Sequence, residues 1–153
     1  MIKNSKYDQS LPYIFMGGLI GSLLRFVVFT RLDGLTNHKP DLIVIKANHV
    51  EGLFLSLFHY LPMATLVVNL VGSFALALLA RCLLVRLRPQ IYNLFATGLI
   101  GSFTTFSTFS KDFCQLVLDG HHIPGLIYIL VSIFGGLLMA VIGNNLGKKV
   151  NKC

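Results

Sequence analysis

The chain has 153 residues and a formal net charge of +7, yet only 12% of its side chains are charged and 54% are hydrophobic. A soluble domain carries roughly 25% charged residues, so with a mean hydropathy of +0.72 the chain reads as a membrane protein and not as a soluble globular one. The positive charge does not point to nucleic acid, because the basic residues flank the apolar stretches, as at Arg81, Arg86, Arg88 and Lys148, Lys149, Lys152, where they anchor to lipid headgroups and set topology.

Residues 1–10 are polar and read as a short tail. Four nearly charge-free windows follow, Leu11–Thr30, Leu61–Ala80, Ile91–Ser110 and Ile123–Gly147. At roughly 1.5 Å per residue each can cross a ~30 Å hydrocarbon core. The fold class expected is therefore an all-α membrane protein of four transmembrane helices, forming one domain over 1–153 with spans at about 11–31, 62–81, 90–112 and 123–147. The first apolar stretch lacks a small-residue cleavage pattern behind it and is expected to stay as helix one.

The first span carries Gly17, Gly18, Gly21 and Ser22, small residues that let helices approach closely, followed by Arg25. The connection from Arg31 to Tyr60 is long, and its apolar part, Leu42–Leu61, contains Lys46, His49 and Glu51. The two formal charges alone cost several kcal/mol at a bilayer centre, so an interfacial amphipathic piece, broken near Gly52 and ended by Pro62, is expected there. The second span holds one strongly polar side chain, Asn69, and the fourth carries Gly135, Gly136 and Gly143 as further packing positions.

Every acidic residue (Asp8, Asp33, Asp41, Glu51, Asp112, Asp119) and every histidine is expected outside or at the edge of a span. A proton-coupled exporter needs an intramembrane carboxylate or relay, and a haem or metal redox protein needs intramembrane ligands. Cys82, Cys114 and Cys153 have no paired spacing and read as reduced thiols. With no nucleophile and base beside the spans, an enzyme is not expected.

The informative stretch is Ser102 to Ser110, in which every residue is a hydroxyl or a phenylalanine. Phe103, Phe106 and Phe109 repeat every three residues and would drift slowly around one side of a helix. Hydroxyls offer donors and aromatic edges carry partial positive charge, so together they can hold an anion without a formal positive charge. A single hydroxyl in a membrane helix more commonly bonds back to its own helix; six in nine positions shift that balance. The threonines beside Gly98 and Gly101 also weaken the helix, and an interrupted membrane helix presents carbonyls and amides to ions. Asn69 fits helix-to-helix glue and pore lining equally, and Arg25 fits both an interfacial anchor and an anion-attracting vestibule.

Three motifs in order, Gly17-Gly18-Leu19-Ile20-Gly21-Ser22-Leu23-Leu24-Arg25-Phe26, then Thr65 to Phe74 with Asn69 and Gly72-Ser73-Phe74, and then Gly98 through Phe109 with Thr104-Thr105-Phe106-Ser107-Thr108-Phe109, resemble the Fluc family of fluoride channels. The resemblance covers all four spans. It implies a passive, selective fluoride channel in the cell membrane, assembled as an antiparallel dual-topology dimer with a broken third helix, through which cytoplasmic fluoride leaves. It further implies a fluoride pathway along Asn69, Phe106, Phe109, Tyr128 and Ser132, with Thr104, Thr105, Ser107 and Thr108 in or behind the polar lining and Arg25 toward a vestibule. The carbonyls of Gly101 and Thr104, with the same pair from the partner, would cage one structural Na⁺. The chain departs from the family pattern at Gly136, where a second hydroxyl is common, at Ser102, where many members have glycine and where tightening of the break is expected, and in the long 31–60 connection.

Counting Lys and Arg, the side bearing the termini has eight (Lys3, Lys6, Arg81, Arg86, Arg88, Lys148, Lys149, Lys152) and the other has four (Arg31, Lys39, Lys46, Lys111). This bias predicts cytoplasmic termini and pairing with an oppositely oriented relative; a homodimer is the other assembly the resemblance allows. The alternatives from other classes are a small multidrug-type exporter and a non-conducting membrane assembly subunit.

Overall fold

The computed structural model describes residues 10–36, 60–83 and 87–150, and every regular element among them is helical. Helix α1 is Leu11–Thr36 and α2 is Met63–Leu83. α3 covers 89–103 in three contiguous pieces: an α-helical turn at Pro89–Asn93, a π-helical stretch at Leu94–Ile100 and a last α-helical turn at Gly101–Phe103. α4 is Phe106–Leu118 and α5 is His122–Val150.

Among the described residues, three helices are long and apolar enough to cross a membrane by length and composition: α1 over Leu11–Leu32, α2 over Met63–Cys82, and α5. The expected span over 90–112 is not a continuous helix. It is divided at Thr104 and Thr105, and its second half runs on to Leu118 instead of ending at Asp112. Phe103 therefore does not share a helical face with Phe106 and Phe109, as the i, i+3 repeat alone predicts. α1, α2 and α5 also extend a few residues past the expected ends, to Thr36, Leu83 and Val150, because helical geometry continues beyond the apolar window. The interfacial piece expected within 42–61 lies outside the described residues except for Tyr60 and Leu61.

Glycines set the packing. α1 lies on the π-helical stretch of α3, and α2 lies along α5. A Cβ on Gly17 would run into the Leu94 carbonyl, and one on Gly21 into the Leu99 carbonyl and the Ser102 hydroxyl. From the other side, a Cβ on Gly98 would stand 2.5 Å from the Ile14 carbonyl oxygen and 3.0 Å from Gly17 Cα. The backbones of α1 and α3 thus touch, as small residues in membrane helices permit. Gly143 plays the same part between α5 and α2, its Cβ position lying 2.5 Å from the Phe74 carbonyl oxygen.

A small core of Leu66, Leu116 and Tyr128, with Tyr60, Leu61, Met63, Phe109 and Phe113 packed around it, joins α2, α4 and α5. The turn after α4 is made at Gly120, whose φ of 81° suits a residue without a Cβ. There the Gly120 and His121 amides donate to the Val117 and Leu116 carbonyls at 3.1 and 2.8 Å and turn the chain into α5. Outside this core the single chain exposes long apolar stripes, including Phe15, Leu23 and Phe26 on α1 and Phe134 and Leu137 on α5. Such stripes suit lipid or a partner subunit.

Candidate functional site

The site is built around the interruption between α3 and α4. Thr104 (φ −73°, ψ 157°) and Thr105 (φ −147°, ψ 121°) are extended, the conformation β-branched residues favour. A break costs backbone hydrogen bonds, and in an apolar setting these must be replaced. α2 replaces two of them with one side chain. The Asn69 amide donates through Nδ2 to the Thr105 carbonyl at 3.0 Å and accepts from the Thr105 amide through Oδ1 at 2.9 Å. Thr105, which is buried, then caps α4, its Oγ1 accepting from the Thr108 amide at 3.1 Å.

These exchanges redirect two amides. In an uninterrupted helix the Thr105 amide would bond the Gly101 carbonyl and the Thr108 amide the Thr104 carbonyl; here the first goes to Asn69 and the second to the Thr105 hydroxyl. The Gly101 and Thr104 carbonyls lose their usual donors. Both residues line an open groove of about 320 Å³ with Asn69, Gly72, Ser73 and Phe106. Two carbonyl oxygens released from a helix suit a hard monovalent cation, which takes oxygen ligands, so this donor set fits the Na⁺ that the family resemblance implies.

The hydroxyls of the run have distinct uses. Thr105 Oγ1 lies 2.9 Å from Thr108 Oγ1 and 3.3 Å from Ser107 Oγ, forming a cluster behind the break. Thr104 donates to the Ile100 carbonyl at 3.0 Å and Ser132 to the Tyr128 carbonyl at 2.7 Å, so both bond back to their own helices. Ser102 donates toward the Gly18 and Gly98 carbonyls at 2.9 and 2.8 Å, which ties α3 to α1 instead of tightening the break.

Beyond the break the aromatic rings form a ladder. Phe106 is 79% exposed in the single chain; its ring centroid is 5.8 Å from that of Phe109, which in turn is 5.1 Å from that of Tyr128. Tyr128 is fully buried, with its hydroxyl beside Thr65 and Asp112. Arg25 stands elsewhere, beside a second opening lined with Ser22, Phe26, Phe29 and Thr108. Asn69, Thr105, Phe106 and the Gly101/Thr104 pair are thus brought together, Phe109 and Tyr128 continue from them, and Ser132 faces its own helix.

Sequence reasoning missed Asp112, Thr65 and Gly72. Asp112 lies within α4, which runs past the expected end of the third span to Leu118, and its Oδ2 accepts from the Thr65 hydroxyl at 2.6 Å, where Thr65 is 1% exposed. The signal was present: Asp112 follows Phe109 by three residues and Thr65 precedes Asn69 by four, each on the site's face of its helix. Thr65→Val is expected to lower stability by about 1–3 kcal/mol, the cost of leaving a partly buried carboxylate short of a donor. Thermal unfolding of the purified protein checks this. Gly72 makes room for the Thr104 methyl, which a Cβ there would overlap.

A family model described as "CrcB-like protein, Camphor Resistance (CrcB)" matches residues 12–144. The chain belongs to the CrcB-like family. Among its curated relatives, "Fluoride-specific ion channel FluC 1" of Desulfitobacterium hafniense (strain Y51) is 46% identical over 93 residues, covering 60% of this chain and 82% of the relative. A protein of the same name from Bacillus cereus (strain ATCC 10987) is 37% identical over 143 residues, 91% of this chain and 89% of its own length. "Fluoride-specific ion channel FluC 2" of Listeria monocytogenes (strain EGD-e) is 46% identical over 91 residues, 58% of this chain and 70% of its own length. The relatives are named as ion channels, not enzymes. In this CrcB-like chain Gly136 lies across from α2, where an added Cβ would stand 3.6 Å from Ser73 Oγ, an ordinary contact that leaves room for a side chain.

Proposed function

We propose that this CrcB-like chain forms a passive fluoride channel through which cytoplasmic fluoride leaves the cell. The observation that carries the reading is the clamped break: an amide side chain, released backbone carbonyls and an exposed phenylalanine meet at one groove, and two further rings lead away from it. Aromatic edges and amide donors attract a small anion without binding it as tightly as a formal charge, which permission to leave requires. In this reading α3 and α4 together make the remaining membrane crossing, Phe106, Phe109, Tyr128 and Asn69 contact the ion, Ser107, Thr108 and Ser132 lie along the pathway, and Arg25 serves a vestibule.

Two chains would assemble antiparallel, with the Gly101 and Thr104 carbonyls of each holding one Na⁺ at the dimer centre. The bound cation would supply fixed positive charge and bridge the subunits. The charge bias of eight against four favours termini in the cytoplasm and a partner of opposite orientation, and relatives numbered both 1 and 2 accord with paired subunits.

Cells lacking their own fluoride exporter and expressing this chain, with an oppositely oriented relative where the chain alone has no effect, are expected to grow at fluoride concentrations that arrest the parent. Phe106→Ala at unchanged expression is expected to abolish that tolerance. Full tolerance in the Phe106→Ala strain would refute the role of the ladder. A proton-coupled exporter is the second reading, favoured by the carboxylate of Asp112 inside α4; it predicts fluoride movement that follows an imposed pH gradient against the fluoride gradient, which a channel cannot give.

A further inference from the structure

We propose that Asn69 and Thr105 are positioning residues for the bound cation, each keeping one of the two cage carbonyls free of a helical hydrogen bond. The inference rests on the Na⁺ reading above and adds to it the side chains that make the site possible. Asn69 Oδ1 takes the Thr105 amide at 2.9 Å, which otherwise closes onto Gly101; Thr105 Oγ1 takes the Thr108 amide at 3.1 Å, which otherwise closes onto Thr104. Asn69 also donates to the Thr105 carbonyl at 3.0 Å, so the Thr105 peptide unit is gripped on both sides and cannot swing back into the helix. One turn along α2, Gly72 leaves the space that the Thr104 methyl fills. The same face of α2 therefore seats both residues of the break.

The two freed carbonyls are not equivalent in how they are held. Gly101 depends on a side chain from another helix, whereas Thr104 depends on the hydroxyl of its own neighbour. Remove Asn69, and the Thr105 amide has the Gly101 carbonyl as its nearest alternative acceptor; remove the Thr105 hydroxyl, and the Thr108 amide has the Thr104 carbonyl. In each case a cation must compete with a restored helical bond. It follows that the side chain facing the anion pathway also sets cation affinity, so the two ions are linked through Asn69.

The test is a Na⁺ titration of thermal unfolding of the purified full-length protein in detergent, with Na⁺ replaced by N-methylglucamine at constant ionic strength. The unmodified protein is expected to gain stability with Na⁺. Thr105→Val and Asn69→Ala are each expected to raise the half-saturating Na⁺ concentration by about tenfold or more, the equivalent of one hydrogen bond in competition, and Thr105→Ser, which keeps the oxygen, is expected to restore it. Variants that unfold at lower temperature in every buffer but keep the unmodified midpoint would show a purely structural role and overturn the inference. No response to Na⁺ in the unmodified protein would overturn the cation site itself, and the inference with it. Thr105→Val is close to isosteric, so it decides the matter where Asn69→Ala does not fold.

Discussion

Phe109→Leu is expected to slow fluoride efflux by about tenfold or more while leaving the protein folded. The Phe109 ring stands between Phe106 at 5.8 Å and Tyr128 at 5.1 Å, so it is the link through which the ladder continues from the break to the core. Leucine keeps the apolar bulk that packs against Leu66, Leu116 and Tyr128, and such a swap costs roughly 1.5 kcal/mol or less. What it removes is the electropositive ring edge. One weakened stop for the ion raises the barrier by about 1.4 kcal/mol per factor of ten in rate. Electrode-recorded efflux from liposomes, normalised to folded protein, checks the prediction; unmodified efflux would mean that the ring serves packing alone.

Gly98→Val is expected to have the largest effect on stability, about 3 kcal/mol or more. The added carbon would meet backbone on every side: the Ile14 carbonyl oxygen at 2.5 Å, Gly17 Cα at 3.0 Å and the Gly18 amide nitrogen at 3.1 Å. No side chain can rotate away to relieve that overlap, so α1 must separate from the π-helical stretch. Gly18→Ala is the control, since nothing lies within 4 Å of its Cβ position, and replacing a helical glycine by alanine where the Cβ has open space is neutral or stabilising by up to about 1 kcal/mol. Size-exclusion profiles and thermal unfolding should show Gly98→Val aggregated or strongly destabilised and Gly18→Ala unchanged.

The contrast between Gly17 and Gly18 illustrates what a sequence conveys and what it withholds. Both belong to one small-residue motif, and the motif correctly marks α1 as a packing helix, but only Gly17 has its Cβ position blocked by α3, while Gly18 meets α3 through its backbone and its own Cβ position is open; helical phase against a particular neighbour is a tertiary fact. Apolar windows located α1, α2 and α5 because hydropathy reports the solvent of a helix directly. The Thr104-Thr105 pair signalled weakness in the third span, yet the π-helical stretch before it, which packs on the glycines of α1, has no local signature in Leu94–Ile100. Asn69 left glue and lining equally open from its position alone. The structure gives it a grip on Thr105 through both amide atoms, a role that requires knowing where the neighbouring helix breaks. Hydropathy ends the third span at Asp112 and says nothing of its partner; that α4 runs on to Leu118 and that Asp112 accepts from Thr65 on α2 are tertiary facts.

The most direct test of the channel reading is fluoride efflux from liposomes holding this chain, alone and together with an oppositely oriented relative, with chloride efflux recorded in the same preparation. Rapid efflux of fluoride without chloride, in at least one of the two preparations, is the result predicted. Folded protein that releases no fluoride in either preparation, or releases both anions equally, would contradict it.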